Sequence, residues 1–204
     1  MKFTEFKRKV KKSPLFGSDV AQLFAADPQA LRNQLLRWKK RGLVVSLRKG
    51  LYALSREERG AALSRELIAA SLYQPSYISL ESALSRYKLI PERVVPVTSV
   101  TPRKTKTFQN EEGWFSYRQL KKIAYFGFRS ARDEAGFPYF IAEPEKALLD
   151  YLYLNLSAVG RDPAGYLRDS LRLQNRSALD KRKLARYAGR FGVKKLRRIV
   201  EVMG

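Results

Sequence analysis

The amino-acid sequence predicts an α+β protein with one unit at residues 1–54 and a larger unit at residues 55–204. Residues 28–54 combine a helical apolar period with two short strand-like runs, and residues 94–156 alternate between strand and helix patterns. The remaining C-terminal residues have a basic, helical pattern. A length of 204 residues and a hydrophobic fraction of 45% allow substantial cores, which excludes a disordered basic tail.

The start of the chain predicts two helices before the central one. Residues 2–12 have an apolar face and predict a short basic helix. The Phe16-Gly17 pair predicts a turn, and residues 18–26 predict a second helix with a polar cap at its first residues. A third helix begins directly afterwards, so the last two helices would be joined by a very short connection.

The third helix is the best-defined element of the sequence. Asp27-Pro28 is typical of a helix start, with a capping side chain followed by proline at the first helical position. Leu31, Leu35 and Trp38 recur at helical spacing and predict a buried stripe.

A β-hairpin is predicted directly after this helix. Gly42 ends the helix, and Val44–Leu47 and Leu51–Leu54 are strand-like runs joined by Arg48-Lys49-Gly50. Two closely connected helices followed by a basic hairpin predict a winged helix-turn-helix domain over residues 1–54.

The third helix and the hairpin tip supply the candidate DNA-binding residues. They are of the types that read base edges or neutralise phosphates: Gln29, Arg32, Asn33, Arg37, Lys39, Lys40, Arg41, Arg48 and Lys49. We expect Gln29, Arg32 and Asn33 to face base edges. Phosphates or the minor groove are the expected targets of Lys39, Lys40, Arg41, Arg48 and Lys49. The alternative is a solvated basic face without a ligand.

The charge distribution indicates a polyanionic partner. The chain has 41 basic and 19 acidic residues, a net charge of +22. Residues 1–54 carry 13 basic and 3 acidic residues (net +10), whereas residues 176–204 carry 10 and 2 (net +8). The recognition helix and hairpin therefore explain only about half of the excess charge, and our hypothesis is that the C-terminal helices contact the same DNA or an acidic partner.

Several functional classes are disfavoured by what the sequence lacks. There is no cysteine or histidine, which removes thiol nucleophiles, Cys/His zinc sites and the commonest neutral-pH base. No Gly-rich phosphate loop occurs, and the Gly17-Ser18 pair has no downstream acidic pair of the kind that nucleotidyltransferases use to bind metals. We therefore expect no enzymatic activity, no cofactor and no metal. Without a long apolar run or a signal peptide, a cytoplasmic protein is expected.

The larger unit is predicted to be a mixed α/β domain with a helical C-terminus. Its elements are expected as a helix over 56–73, a helix over 79–87, a strand over 94–101 with Pro96 at an edge or bulge, a hairpin or loop over 103–112, strands over 115–120, 123–129 and 139–141, and helices over 143–156, 162–173, 177–191 and 194–203. Glu143, Glu145 and Asp150 are the best acidic cluster. Helix capping and an i,i+4 pair of Lys146 with Asp150 explain them better than catalysis does.

Aromatic residues concentrate between residues 108 and 140, where 10 of the 24 in the chain lie. They would suit a stacking platform for single-stranded nucleic acid. The alternative function is therefore an RNA-binding protein that uses these aromatic strands together with the basic C-terminal helices. Aromatic strands are more often sheet core.

Four segments resemble the AbiEi-type antitoxins of abortive-infection, type IV toxin–antitoxin systems. They are Arg48-Lys49-Gly50-Leu51-Tyr52, then Tyr77-Ile78-Ser79-Leu80-Glu81-Ser82-Ala83-Leu84, then Val97-Thr98 with Arg103-Lys104, and finally Ile141-Ala142-Glu143-Pro144-Glu145-Lys146-Ala147-Leu148-Leu149-Asp150. The resemblance implies a winged-helix domain that represses its own promoter at inverted repeats. It also implies a C-terminal domain that counters a nucleotidyltransferase-like toxin, often without a stable complex.

Overall fold

A computed structural model describes residues 2–10, 14–17, 27–60 and 62–203 of the chain. It contains two β-sheets with helices packed against them, so the predicted α+β class is confirmed. The helix that the sequence predicts over residues 18–26 lies outside the described residues.

The N-terminal part contains helices and a small antiparallel sheet. Its described elements are α1 (Phe3–Val10), β1 (Leu15–Gly17), α2 (Pro28–Lys40), β2 (Val44–Arg48) and β3 (Leu51–Leu54). The strands are ordered β1-β3-β2. The helix predicted over residues 2–12 is confirmed for Phe3–Val10, and residues 11–12 lie outside the described residues. The helix predicted from Pro28 and the hairpin are also confirmed.

The turn predicted at Phe16-Gly17 is wrong, because these residues belong to β1 and pair with Tyr52 and Leu51 of β3. The Phe16 side chain is only 1% exposed, and its ring centroid lies 5.2 Å from that of Phe6. Burying an aromatic ring stabilises the strand by more than glycine's turn preference opposes it.

One small core fixes α2 on this sheet. Its buried members are Phe6, Val10, Phe16, Leu31, Leu35, Trp38, Val44 and Leu54. The Trp38 ring lies 4.8 Å from Phe6 and 5.4 Å from Phe3, measured between ring centroids. The apolar stripe of α2 therefore faces the core, as the sequence predicts, and its polar face points away from the core.

The rest of the chain forms a six-stranded mixed sheet with helices. Its elements are α3 (Arg56–Arg59), α4 (Arg65–Leu72), β4 (Tyr77–Ile78), α5 (Leu80–Arg86), β5 (Val97–Thr101), β6 (Lys106–Asn110), β7 (Gly113–Gln119), a 3₁₀ turn (Lys122–Ala124), β8 (Phe128–Arg132), β9 (Pro138–Ala142), α6 (Pro144–Leu154), α7 (Leu156–Val159), α8 (Pro163–Gly165), a π-helical turn (Tyr166–Ser170), a 3₁₀ turn (Arg176–Ala178), α9 (Lys181–Phe191) and α10 (Lys194–Glu201). The strand order is β6-β7-β5-β4-β9-β8. The β4–β9 and β5–β7 pairs are parallel, and the others are antiparallel.

Four predictions for this part need correction. The single helix over residues 56–73 is two helices, because Gly60 adopts a left-handed conformation (φ 73°) that ends α3. The strand with Pro96 is an interior strand that begins at Val97, so the proline stands outside the ladder. The strand over 123–129 is a 3₁₀ turn followed by β8, and the helix over 162–173 is α8 plus a π-helical turn.

The two parts share packing at their junction. Leu47, Leu51 and Ala53 of the hairpin belong to the hydrophobic core of the larger part. The Asn110 side-chain amide donates to the Leu47 carbonyl at 3.0 Å, and Arg59 pairs with Glu112 at 2.9 Å. The hairpin is therefore held by both cores.

Candidate nucleic-acid interface

The face of α2 that points away from the core is polar and basic. At about 100° per residue, Gln29, Asn33 and Lys40 lie opposite the buried stripe, and Arg32 and Arg37 flank them on either side. All five side chains are exposed. From Gln29 to Lys40 the face is about 16 Å long at 1.5 Å per residue, which matches the reach of a helix in a major groove.

Backbone capping fixes both ends of α2. The Asp27 carboxylate accepts from the Gln29 backbone N–H at 2.8 Å, as predicted for the N-cap. At the other end Gly42 has φ 68°, and its N–H donates to the Lys39 carbonyl at 3.0 Å. A residue with a Cβ would be strained there, so glycine ends the helix and turns the chain into β2.

The cations of α2 have no partner within the described part of the chain. Arg32, Arg37, Lys39 and Lys40, together with Arg41 at the C-cap, are exposed and form no ion pair or side-chain hydrogen bond there. Among the described residues, the one side-chain bond on this face joins Gln29 Nε2 to Asn33 Oδ1, at 3.5 Å and exposed to solvent. The Gln29 amide oxygen and the Asn33 amide N–H₂ group form no bond with the described residues and could bind a ligand.

Leu36 belongs to the same face and was missed by the sequence analysis. Its side chain is 53% exposed, although leucine is usually buried. In proteins that read DNA, an apolar side chain at such a position can contact a thymine methyl group. The helical period could have found it, because Leu36 falls outside the stripe of Leu31, Leu35 and Trp38.

The hairpin tip carries two cations: Arg48 is bonded to backbone carbonyls, and the Lys49 side chain is not bonded to the described residues. Arg48 is exposed, but its Nε donates to the Leu72 carbonyl at 2.7 Å and its guanidinium also donates to the Lys49 carbonyl at 2.9 Å. Lys49 is exposed, and its side chain forms no bond with the described residues. Arg48 therefore has a structural role that the sequence did not reveal, with part of its guanidinium still available.

The C-terminal basic residues lie on two amphipathic helices. Arg182, Arg186 and Arg190 of α9 are exposed at i,i+4 spacing, while Leu184 and Phe191 of the same helix are buried. Because these helices complete the larger core, the segment is not a detachable tail.

The carboxylates at the start of α6 do not cap their own helix, which contradicts that prediction. Glu143 occupies the N-cap position without a side-chain cap bond, and it accepts instead from Tyr187 at 2.6 Å and from Lys183 at 3.0 Å. Glu145 accepts from the Asp180 backbone N–H at 2.9 Å. Burial acts to raise the pKa of Glu143, but the bonds from Tyr187 and Lys183 hold that pKa below its usual value. These carboxylates fasten α9 to α6.

Lys146 and Asp150 form a fully buried ion pair within α6. Asp150 also accepts from Ser79 Oγ at 2.8 Å and from Tyr77 OH at 3.0 Å, and Lys146 donates to Tyr77 OH at 2.8 Å. Burial raises the pKa of Asp150 and lowers that of Lys146. The sequence predicted the i,i+4 pairing but not its burial, nor its partners Tyr77 on β4 and Ser79 at the N-cap of α5. All four polar groups are mutually satisfied, so the cluster is structural.

The aromatic residues between 108 and 140 are mainly core. Phe115 and Tyr117 are 0% exposed, whereas Trp114 and Phe140 are about half exposed, at 54% and 50%. Trp114 lies on β7 and Phe140 on β9, with β5 and β4 between these strands. Three strand spacings are about 14 Å, so the two rings do not form a contiguous stacking platform.

Two other kinds of feature are absent from the described residues. No group of three or more His, Cys, Asp or Glu side chains could hold a metal ion there. Within the same residues, no helix is long and apolar enough to cross a membrane. Comparison with protein-family models gives no match, and comparison with curated proteins gives no significant match.

Proposed function

We propose that this protein is a non-enzymatic, cytoplasmic DNA-binding autorepressor with a winged helix-turn-helix, and that it is the antitoxin of a type IV pair with a nucleotidyltransferase-like toxin. The observation that carries the DNA-binding part is the outward face of α2. There, Asn33 and Gln29 are flanked by arginines without partners in the described chain. A helix with this face can place its amide and guanidinium groups on base edges in a major groove.

The composition of α2 argues against a merely solubilising surface. Solvated helix faces usually mix acidic and basic residues, which pair along the helix. The sequence of α2, PQALRNQLLRWKK, contains no acidic residue. A face with cations and amides but no anions suits a polyanionic ligand.

The element order also supports a winged helix-turn-helix. A helix and a short strand precede α2, and the hairpin β2–β3 follows it, with β1 pairing to β3 in the small sheet. In this arrangement α2 is the recognition helix and the hairpin is the wing.

The antitoxin assignment rests on the sequence resemblance alone. In the fold, parts of three of the four resembling segments pack together. Segments far apart in sequence meet in one buried cluster, where Tyr77 and Ser79 bind Asp150 and the Thr98 hydroxyl donates to the Ser79 carbonyl at 2.9 Å. Because these side chains satisfy one another in the core, they specify a fold and not a catalytic centre.

The DNA-binding proposal is tested with the DNA upstream of the protein's own gene, which we expect to contain inverted repeats. Fluorescence anisotropy across a salt series should give a steep slope and tighter binding than to random DNA. Arg32→Ala and Asn33→Ala should each reduce the preference for this DNA by about 1–3 kcal/mol. Arg161→Ala, which removes an exposed arginine from the loop before α8, is the matched control and should bind as wild type does.

Two outcomes would contradict this proposal. One is a double Arg32/Asn33 alanine variant that binds own-promoter and random DNA as wild type does. The other comes from a competition experiment in which structured RNA and random DNA are each added to the complex with promoter DNA. If the RNA displaces the promoter DNA at a lower concentration than random DNA does, the RNA-binding alternative is favoured.

The antitoxin proposal is tested by co-expression with an adjacent nucleotidyltransferase gene. Wild type should restore growth, and the double Arg32/Asn33 alanine variant should also restore it while failing to repress the promoter. Failure of wild type to restore growth would refute the antitoxin role and leave the DNA-binding result standing.

A further inference from the structure

A pocket of about 270 Å³ lies where the hairpin meets the larger domain, and three cations line it. They are Arg48 from the hairpin, Arg103 from the loop after β5 and Lys106 at the start of β6. The other lining residues are Ser71, Leu72, Tyr73, Gln74 and Phe108, so the pocket contains no carboxylate.

Backbone carbonyls hold the two arginines in place. Arg48 Nε donates to the Leu72 carbonyl at 2.7 Å, and the Arg103 guanidinium donates to the Gln74 carbonyl at 2.8 Å. Leu72 is the last residue of α4 and Gln74 lies two residues after it, so one short stretch of chain orients both side chains. Each guanidinium has five N–H donors, and the described bonds use only some of them.

The Arg103 and Lys106 side chains make cation–π contacts with the aromatic rings that line the pocket. The Arg103 guanidinium lies 4.5 Å from the Tyr73 ring centroid. The Lys106 ammonium lies 4.9 Å from the Phe108 centroid and 5.6 Å from that of Tyr73. Cation–π contacts attract each cation without neutralising it, so the rings preorganise the charges and leave them in place.

Three cations without a carboxylate in one small pocket repel one another. An anion among them would remove this repulsion and accept charge-assisted hydrogen bonds from both guanidinium groups. A phosphate group suits this geometry, because it offers several acceptor oxygens to two planar forks and one ammonium.

We propose that Arg48, Arg103 and Lys106 form a phosphate-binding site, and that its phosphate belongs to the backbone of the same DNA that α2 reads. This assignment of the ligand rests on the proposed function. Because Arg48 belongs to the hairpin, DNA that contacts this wing passes beside the pocket. The second domain then contributes to DNA affinity directly, because the bond from Arg48 to the Leu72 carbonyl joins the wing to the second domain beside the site.

The first experiment compares DNA binding by an Arg103→Gln/Lys106→Gln variant and by wild type across a salt series. Losing one phosphate contact should reduce the slope of log K against log salt by about 1. Affinity should fall about tenfold or more, equally on promoter and random DNA, because a phosphate contact reads no sequence. A Lys88→Gln/Arg161→Gln variant removes two exposed cations elsewhere on the second domain and should retain the wild-type slope. Thermal unfolding of each variant checks that the fold is intact.

The second experiment measures pyrophosphate binding by calorimetry at low salt. Wild type should bind it saturably, the Arg103/Lys106 variant should lose about tenfold or more in affinity, and the double Arg32/Asn33 alanine variant should bind normally. Lost pyrophosphate binding with an unchanged DNA slope supports the site and makes its ligand a small phosphate compound instead of DNA. The same pyrophosphate affinity in wild type and the Arg103/Lys106 variant, or no saturable binding by wild type, overturns the site. If wild type binds no DNA, the proposed function fails, and the pyrophosphate experiment still decides the site.

Discussion

Removal of one charge from the Lys146–Asp150 pair should destabilise the protein far more than removal of both. Asp150→Asn leaves the Lys146 ammonium in the core without a counter-ion, and Lys146→Met leaves the Asp150 carboxylate there. Both side chains are 0% exposed, so water cannot replace the missing partner. The double variant has no buried charge, and the amide oxygen that it introduces can still accept from Ser79 and Tyr77.

The expected magnitudes follow from these contacts. Breaking a buried ion pair from one side costs about 3–5 kcal/mol, so the two single variants together should lose roughly 6–10 kcal/mol. The double variant leaves one amide N–H₂ group without an acceptor, which costs about 1–3 kcal/mol. The coupling free energy between the two sites should therefore be at least about 3 kcal/mol.

Urea denaturation followed by circular dichroism measures these values, with all four proteins examined at the same pH and salt. An Arg161→Gln variant controls for substitution of an exposed charge and should unfold at the wild-type midpoint. A double variant whose loss equals the sum of the single losses within about 0.5 kcal/mol would refute the reasoning, because it would mean that the two charges do not depend on each other.

Two further predictions concern the attachment of the C-terminal helices. Hydrogen bonds from Tyr187 and Lys183 lower the pKa of Glu143 despite its partial burial, so its stabilising contribution is present above its ordinary value of 4.5 and is lost as pH falls through the lower folded-state pKa. A Glu143→Gln variant should therefore lose less stability than wild type between about pH 5 and pH 3, as measured by urea midpoints; equal losses would contradict this. Truncation after Asn175 removes seven buried apolar residues from the larger core, whose burial contributes roughly 10 kcal/mol or more to stability. Circular dichroism of the truncated protein should therefore show no cooperative unfolding. The Arg182→Gln/Arg186→Gln variant should fold normally, so it is the variant with which to test the basic surface.

The sequence identified most of the candidate interface because it depends on local patterns. The period of Leu31, Leu35 and Trp38 gives both the helix and its buried side, and every residue type on the opposite side follows from that. Leu36 could have been included by the same rule. The role of Arg48 could not have been predicted in this way, because its partner is a backbone carbonyl 24 residues away. The position of a backbone carbonyl depends on the fold and not on the type of residue that carries it.

The same distinction applies to the fold as a whole. The sequence by itself determined the α+β class, α2 with its caps, the hairpin and the start of α6, because helical period, capping chemistry and β-branched runs act over a few neighbouring residues. Only the tertiary structure decided that β5 is an interior strand, that Lys146 and Asp150 are buried with Tyr77, and that Arg103 and Lys106 stand beside Arg48. These arrangements depend on contacts between distant segments, whose free energy comes from burial and desolvation and not from local preference.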